Sequence, residues 1–171
     1  CARWLKTVFD EKEIHHRTGC YLHSSYLPAR FHWLEQTRPE LIRQTERWLS
    51  IGEYLELELF GQTSVSYSVA SWSGLLNRRQ LVWDEHLLQK LPIDASQLSP
   101  LADLDFPKRG LRRKYASRWP QLARLPWFPA SGDGAAANVG SGCTGPSRVA
   151  LTMGTTSALR AVLDRNIGQI P

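Results

Sequence analysis

Cysteine is scarce in this chain of 171 residues, and no two cysteines stand close together. Cys1, Cys20 and Cys143 are far apart, so the paired Cys-x-x-Cys or Cys/His spacing of a zinc site is missing, as is an even-numbered disulfide framework. These absences exclude a small disulfide-rich domain and a zinc-binding module, and we expect no metal site built by the protein alone. Disulfides are rare in the cytosol, so we expect reduced thiols in a cytoplasmic protein.

Long hydrophobic runs are also absent. No uninterrupted apolar stretch approaches the ~18–20 residues that a membrane-spanning helix needs. Residues 1–6 include no initiator Met and show no signal-peptide pattern. We therefore expect a soluble protein without a membrane partner, and a chain that is an internal piece or a processed product. The Gly-x-x-x-x-Gly-Lys-Ser/Thr loop is missing too, which excludes the usual P-loop site from these residues.

Acidic residues are scarce in the last third of the chain. Residues 106–171 hold 10 Lys/Arg against 2 Asp/Glu, whereas residues 1–105 hold 11 against 14. A basic half suits an anionic ligand, which could be a nucleotide, a phosphorylated sugar or nucleic acid. A solvated face, or a surface that meets an acidic segment outside the chain, is an equal alternative.

Six of the basic residues fall within 108–118. Nucleic-acid binding would also need aromatic or amide side chains aimed at bases, and only Tyr115 and Trp119 are near. An exposed basic face explains the run more simply. We expect no nucleic-acid partner.

Helical patterns cover residues 10–17, 24–36 and 39–47. Gly19 is placed to end the first of them. Pro28 falls in the first turn of the second, where a missing N–H costs nothing.

The segment Ile51–Phe60 fits two kinds of structure. Its alternation is typical of a half-buried strand, but Glu and Leu favour a helix. Ser50 as N-cap and Gly61 as C-terminal stop lead us to predict a helix. We expect a short strand just before it, at residues 48–50.

Short elements with turn signals fill the next stretch. We expect a β-prone segment at 63–67, a turn at 71–74, a strand pair within 75–83, a helix at 85–90 and a loop at 93–106. Asp84 is placed to cap the helix, and Pro92 to stop it.

Asp133 stands in the turn of a strand–turn–helix pattern. Residues 127–130 predict a short buried strand, Gly132 and Gly134 flank the carboxylate, and helix formers follow. Glycines let the backbone turn sharply and let a substrate approach closely. A carboxylate at such a turn can accept the proton of a hydroxyl during phosphoryl transfer. The alternative is that Asp133 only caps the helix.

A second strand–turn unit follows at 149–157. The apolar run Val149–Met153 leads into Gly154-Thr155-Thr156, whose N–H and O–H groups could bind phosphate oxygens. The alternative is an ordinary hairpin turn, because residues 158–163 look like a returning strand.

These motifs stand in an order that resembles the FGGY carbohydrate kinases. The resemblance rests on Thr18-Gly-Cys-Tyr-Leu-His23, Leu49-Ser-Ile-Gly-Glu-Tyr-Leu55, Tyr67-Ser-Val-Ala-Ser71, Gly74-Leu-Leu-Asn77, Gly132-Asp-Gly-Ala-Ala-Ala-Asn-Val-Gly140 and Met153-Gly-Thr-Thr-Ser-Ala-Leu-Arg160. It covers nearly the whole chain. Within the family, the opening and closing motifs are most similar to the gluconate-kinase branch, with xylulose, ribulose and glycerol kinases as close relatives.

The resemblance implies an α/β protein, part of an actin/hexokinase-type (ribonuclease H-like) two-domain kinase fold with a mixed sheet and flanking helices. It implies that 1–142 is the C-terminal part of the first, sugar-binding domain, and that 143–171 begins the second, nucleotide-binding domain. The full-length kinase would use ATP with Mg²⁺, act on a sugar or sugar acid, and could form a homodimer.

By the same resemblance, Asp133 falls on the catalytic base, and Gly154, Thr155 and Thr156 fall on a phosphate-binding turn. Ser25 or Tyr26 falls near the sugar. Ser66 stands where many relatives have Asp.

The family's opening Asp-x-Gly-Thr phosphate loop and its adenosine-binding segment are not in this sequence, so we expect the fragment alone to be inactive. The alternative function is a non-catalytic, kinase-like binding or regulatory module.

Overall fold

The chain forms two compact units, residues 1–130 and residues 131–171. The computed structural model describes residues 1–155, 157–165, 167 and 168. The domain boundary expected at residue 142 stays a prediction. Among the described residues, no helix has the length and apolar character needed to cross a membrane.

The first unit is mainly helical. Its helices are α1 Ala2–Val8, α2 Glu11–Thr18, α3 Leu27–Thr37, α4 Pro39–Gln44, α5 Ile51–Phe60, α6 Tyr67–Trp72, α7 Glu85–Leu88 and α8 Arg113–Arg118. The sequence signals of the early helices are confirmed: Gly19 ends α2 with a φ of 78°, and Pro28 lies in the first turn of α3. The turn expected at 71–74 begins later, because α6 continues to Trp72.

Helix α5 is confirmed together with both of its end signals. Ser50 and Glu53 form a capping box in which each side chain accepts from the other residue's backbone N–H, at 2.8 and 3.4 Å. Gly61 closes the helix with a φ of 73°. The strand expected at 48–50 is wrong: Trp48 N makes a single backbone hydrogen bond to the carbonyl of Gln97 (2.8 Å), and Ser50 is the N-cap of α5.

The strands of the first unit are two residues long. Strand β1 (Val65–Ser66) pairs in parallel with β4 (Leu101–Ala102), and β2 (Leu76–Asn77) pairs antiparallel with β3 (Val82–Trp83). The β2–β3 pair and the β-prone segment before α6 were expected. The loop expected at 93–106 is wrong in part, since it holds β4 and a 3₁₀ turn at Ala95–Gln97. The strand that pairs with β4 lies far away in sequence, so no local period indicates β4.

The core of the first unit is a cluster of aliphatic side chains. Leu5, Ile14, Leu75 and Leu87 are at most 2% exposed. Asp84 lies beside them fully buried, where it accepts hydrogen bonds from Arg17 Nε (2.8 Å), Asn77 Nδ2 (3.2 Å) and Leu87 N (3.1 Å). The predicted capping role of Asp84 is therefore confirmed, and the residue also joins α2 to the β2–β3 hairpin.

The described residues of the second unit form a helix and a hairpin. Helix α9 (Asp133–Gly140) packs against β5 (Val149–Met153) and β6 (Ser157–Ala161). The two strands are antiparallel, with Val149 opposite Ala161 and Met153 opposite Ser157. The returning strand expected after the Gly-Thr-Thr turn is confirmed.

Candidate active site

The segment 127–130, which leads to Asp133, is held by the backbone of the first unit. Trp127 and Lys108 exchange N–H···O bonds of 2.9 and 2.8 Å in a single antiparallel bridge. Phe128 is 61% exposed. The expected buried strand is therefore wrong in part, since one bridge and an exposed Phe take its place. A run of apolar residues does not show whether neighbouring strands cover both faces of the segment.

Asp133 is the first residue of α9 and is exposed. Gly132 occupies the N-cap position, and no side chain caps this helix. The reading of Asp133 as the N-cap is therefore wrong. Asp133 thus presents an exposed carboxylate at a helix start.

The turn between β5 and β6 carries the expected phosphate-binding residues. Gly154 and Thr155 lie in it and are exposed, and Thr156 lies outside the described residues. Because α9 packs on both strands of the hairpin, this turn and Asp133 belong to one compact unit. The sequence allowed either a phosphate-binding turn or an ordinary hairpin turn. The two are compatible, because exposed N–H groups in a hairpin turn can also bind an anion.

Ser25 and Tyr26, the residues expected near the sugar, precede α3 in the first unit. Ser25 Oγ lies 2.9 Å from His23 Nδ1, whose tautomer decides which group donates. Tyr26 is the N-cap residue of α3, and its side chain lies against Gly74, where a Cβ atom would come 3.0 Å from Tyr26 Cβ. The approach explains why Gly, which also has a φ of 77° here, suits this position.

Burial raises the pKa of Tyr26, and the neighbouring Cys20 raises it further. Burial also raises the pKa of the Cys20 thiol, against a smaller lowering by its hydrogen bond with Tyr26. Both groups are therefore neutral at neutral pH. This part of the first unit thus holds an uncharged phenol and an uncharged thiol side by side.

An ion pair that no sequence pattern predicts involves Lys108, the residue that bridges to Trp127. Lys108 Nζ donates to Glu56 Oε2 at 2.7 Å, and that oxygen also accepts from Ser64 N at 2.9 Å. Both charged side chains are less than one-fifth exposed. The partners are 52 residues apart, so only the fold brings them together.

A cavity of about 430 Å³ also lies within the first unit, and Ser25 lines it together with Trp48, Trp72 and Ser99. Its remaining walls are mostly apolar. Within the described ranges, His, Cys, Asp and Glu form no cluster of three or more that could hold a metal ion.

A family comparison decides the class of protein. The model of the N-terminal domain of the FGGY family of carbohydrate kinases matches residues 1–140. The chain belongs to this family. It spans about a third of the length of the curated FGGY relatives that it matches. Among them, it is 26% identical over 164 residues to the gluconokinase of Bacillus subtilis. This alignment covers 96% of the chain and 32% of the Bacillus subtilis protein.

Solved FGGY kinases have the same fold. A ligand-bound xylulose kinase from Lactobacillus acidophilus matches 97% of this chain and 34% of its own, with a TM-score of 0.88 and 24% identity. The gluconate kinase from the same organism matches 96% and 33%, with a TM-score of 0.87 and 24% identity. The chain is therefore an α/β protein and part of an actin/hexokinase-type fold.

Proposed function

We propose that the full-length protein is an ATP-dependent carbohydrate kinase that transfers the γ-phosphoryl group to a hydroxyl of a sugar or sugar acid. The FGGY family match over residues 1–140 carries this proposal. Gluconate is the favoured substrate, because gluconokinases are among the similar proteins. Xylulose, ribulose and glycerol are the other candidates.

In this proposal Asp133 is the catalytic base. Phosphoryl transfer needs a group that orients the attacking hydroxyl and accepts its proton as the phosphate arrives. The carboxylate of Asp133 is exposed and does not cap its helix, which leaves it available for a substrate hydroxyl. Gly132 and Gly134 beside it carry no side chain that would obstruct the approach.

The Gly154-Thr155-Thr156 turn is the proposed phosphate contact, with backbone N–H and hydroxyl groups as donors. ATP brings Mg²⁺, which neutralises charge on the phosphates and binds mainly through phosphate oxygens and water, with one or two carboxylates at most. The residues present fit that pattern, because the exposed donors of Gly154 and Thr155 and the exposed carboxylate of Asp133 lie in the same unit.

Ser25 and Tyr26 are the proposed sugar contacts in the first domain, 1–142, and residues 143–171 begin the nucleotide-binding domain. Because the chain spans about a third of the length of its curated relatives, we propose that this chain alone has no kinase activity. The full-length protein is therefore the one to assay.

The test of Asp133 is Asp133→Asn in the full-length protein. The variant keeps the shape of the side chain but cannot accept a proton, so we expect kcat to fall by about 10²–10⁴-fold. ADP formation with saturating sugar measures the change, and circular dichroism checks the fold. Asp164→Asn is the matched control, because Asp164 is an exposed carboxylate in the same unit. Near-normal turnover of Asp133→Asn would reject the catalytic role.

A panel of gluconate, xylulose, ribulose and glycerol with ATP identifies the substrate. We expect gluconate to give the highest kcat/KM. Another substrate with a higher value would replace gluconate in the proposal, and no phosphorylation of any of them would favour the non-catalytic module.

A further inference from the structure

The first unit also holds a cavity of about 620 Å³ that contains none of the residues assigned to the proposed kinase site. We call it the Arg47 cleft. Its walls come from separate parts of residues 1–130 and include Arg47, Thr63, Trp83, Ser96 and Ser99. Its volume lies within the range of about 300–1,000 Å³ that is common for small-molecule sites.

Arg47 brings a positive charge to this cleft. Its side chain is exposed, and among the described residues it forms no ion pair with an Asp or Glu side chain. Its Nη1 lies 3.5 Å from Thr63 Oγ1, at the long limit of a hydrogen bond. A guanidinium group binds carboxylate and phosphate groups through paired N–H donors. The cleft is therefore suited to an anion.

Ser99 adds a buried hydroxyl to the same cleft. It is 2% exposed, and its Oγ has no hydrogen-bond partner among the described residues. Its backbone is fixed, because the carbonyl of Ser99 accepts from Trp83 Nε1 at 3.0 Å. Ser99 lines the 430 Å³ cavity as well as the Arg47 cleft. A buried hydroxyl without a partner is unfavourable, so a hydroxyl group of a bound molecule would be stabilising here.

Hydrogen bonds hold the wall that carries Arg47 in place. The carbonyl of Gln97 accepts from Trp48 N at 2.8 Å, and Gln97 Nε2 donates to the carbonyl of Thr45 at 2.7 Å. The two bonds lie on either side of Arg47 in the sequence and attach its segment to the 3₁₀ turn. A preformed site loses little conformational entropy when a ligand binds.

We propose that the Arg47 cleft binds a small polyhydroxylated organic anion. Arg47 pairs with the carboxylate or phosphate group of this ligand, and Ser99 Oγ forms a hydrogen bond with one of its hydroxyls. Trp83 and Leu98, which also line the cleft, pack against its carbon chain. This binding goes beyond the proposed kinase reaction and does not depend on Asp133 as the base.

Hydrogen exchange of the full-length protein, measured by mass spectrometry, tests binding at the cleft itself. The probes are gluconate, which carries a carboxylate, and glycerol 3-phosphate, which carries a phosphate; glycerol is the neutral control. We expect at least one of the two anions to slow exchange in peptides that cover 61–63 and 95–101. At ten times its Kd the effect should be about tenfold, because a bound ligand opposes local opening. Glycerol should not protect these peptides at the same concentration.

Substitutions identify the groups that hold the ligand. The anion concentration that gives half-maximal protection of these peptides measures affinity at the cleft. Arg47→Gln should raise it by about ten- to a hundredfold, and Ser99→Ala by about two- to tenfold. Arg43→Gln is the matched control, because Arg43 is an exposed arginine that does not line the cleft, and it should leave the concentration unchanged. Exchange of each variant without ligand shows that it is folded.

Three results would overturn the proposal: no protection by either anion, equal protection by glycerol, or unchanged affinity of folded Arg47→Gln. Unchanged affinity of Ser99→Ala would overturn the assignment of its hydroxyl. The kinase proposal is tested by the turnover of Asp133→Asn, so a failure of the cleft and a failure of the catalytic base are seen in different measurements.

Discussion

The fully buried Asp84 should stabilise three elements at once. Its carboxylate accepts from Arg17 in α2, from Asn77 in β2 and from the backbone of Leu87 in α7. The hydrogen bond with Asp84 raises the pKa of Arg17, so the guanidinium stays charged. We predict that Asp84→Ala locally destabilises all three elements.

The size of the effect follows from the partners that would be left behind. Loss of the helix cap costs about 1 kcal/mol, and the buried amide of Asn77 loses an acceptor at about 1–3 kcal/mol. The Arg17 side chain is 30% exposed, so water partly replaces its lost partner and the total lies at the lower end of the ~3–5 kcal/mol range of a fully buried broken pair. We expect about 3 kcal/mol.

Hydrogen exchange measured by mass spectrometry in the full-length protein tests this value, because exchange reports local opening free energies. About 3 kcal/mol corresponds to roughly a hundredfold faster exchange in peptides that cover α2 and α7. Glu85→Ala, at the exposed neighbouring position, should change exchange by less than about threefold. Similar exchange for Asp84→Ala and Glu85→Ala would refute the reasoning.

Two further predictions concern backbone and thiol chemistry. Gly61→Ala should lower the free energy of unfolding by about 1–2 kcal/mol because of its positive φ. Gly74→Ala should lower it more, since its Cβ would also meet Tyr26 at 3.0 Å. Urea titration compares the two variants, and equal losses would contradict the effect of the contact with Tyr26. Burial raises the pKa of Cys20 above 9.0, the ordinary value, so the neutral thiol's contribution to stability is lost as pH rises above 9.0. Iodoacetamide should label exposed Cys1 before buried Cys20. Mass spectrometry that found Cys20 labelled first would refute this prediction.

Local signals predicted much of the helical structure. Gly19, Ser50, Gly61 and Asp84 act through backbone groups a few residues away, and each ends or caps a helix as its position in the sequence indicates. Such interactions depend on residue type and spacing alone. The β2–β3 and β5–β6 hairpins were predictable for the same reason.

Prediction failed where the partner is distant. The parallel pairing of β1 with β4 and the role of Gln97 as acceptor for Trp48 have no local signal. For Asp133 the sequence allowed two roles, catalytic base and helix N-cap. Gly132 occupies the N-cap position, which removes the capping role. The catalytic role stays a prediction.

The sequence by itself determined the family, the helix ends and the position of the candidate carboxylate. Motifs and short-range hydrogen bonds depend only on residues that are close together in the sequence. The tertiary structure alone decided which side chains support the segment before that carboxylate. Ser66 meets Ala130 across 64 residues, Lys108 meets Glu56 across 52, and Arg17 meets Asp84 across 67. The folded chain brings these partners together. Their residue types are common and their separation in sequence follows no pattern, so the sequence does not predict the pairs.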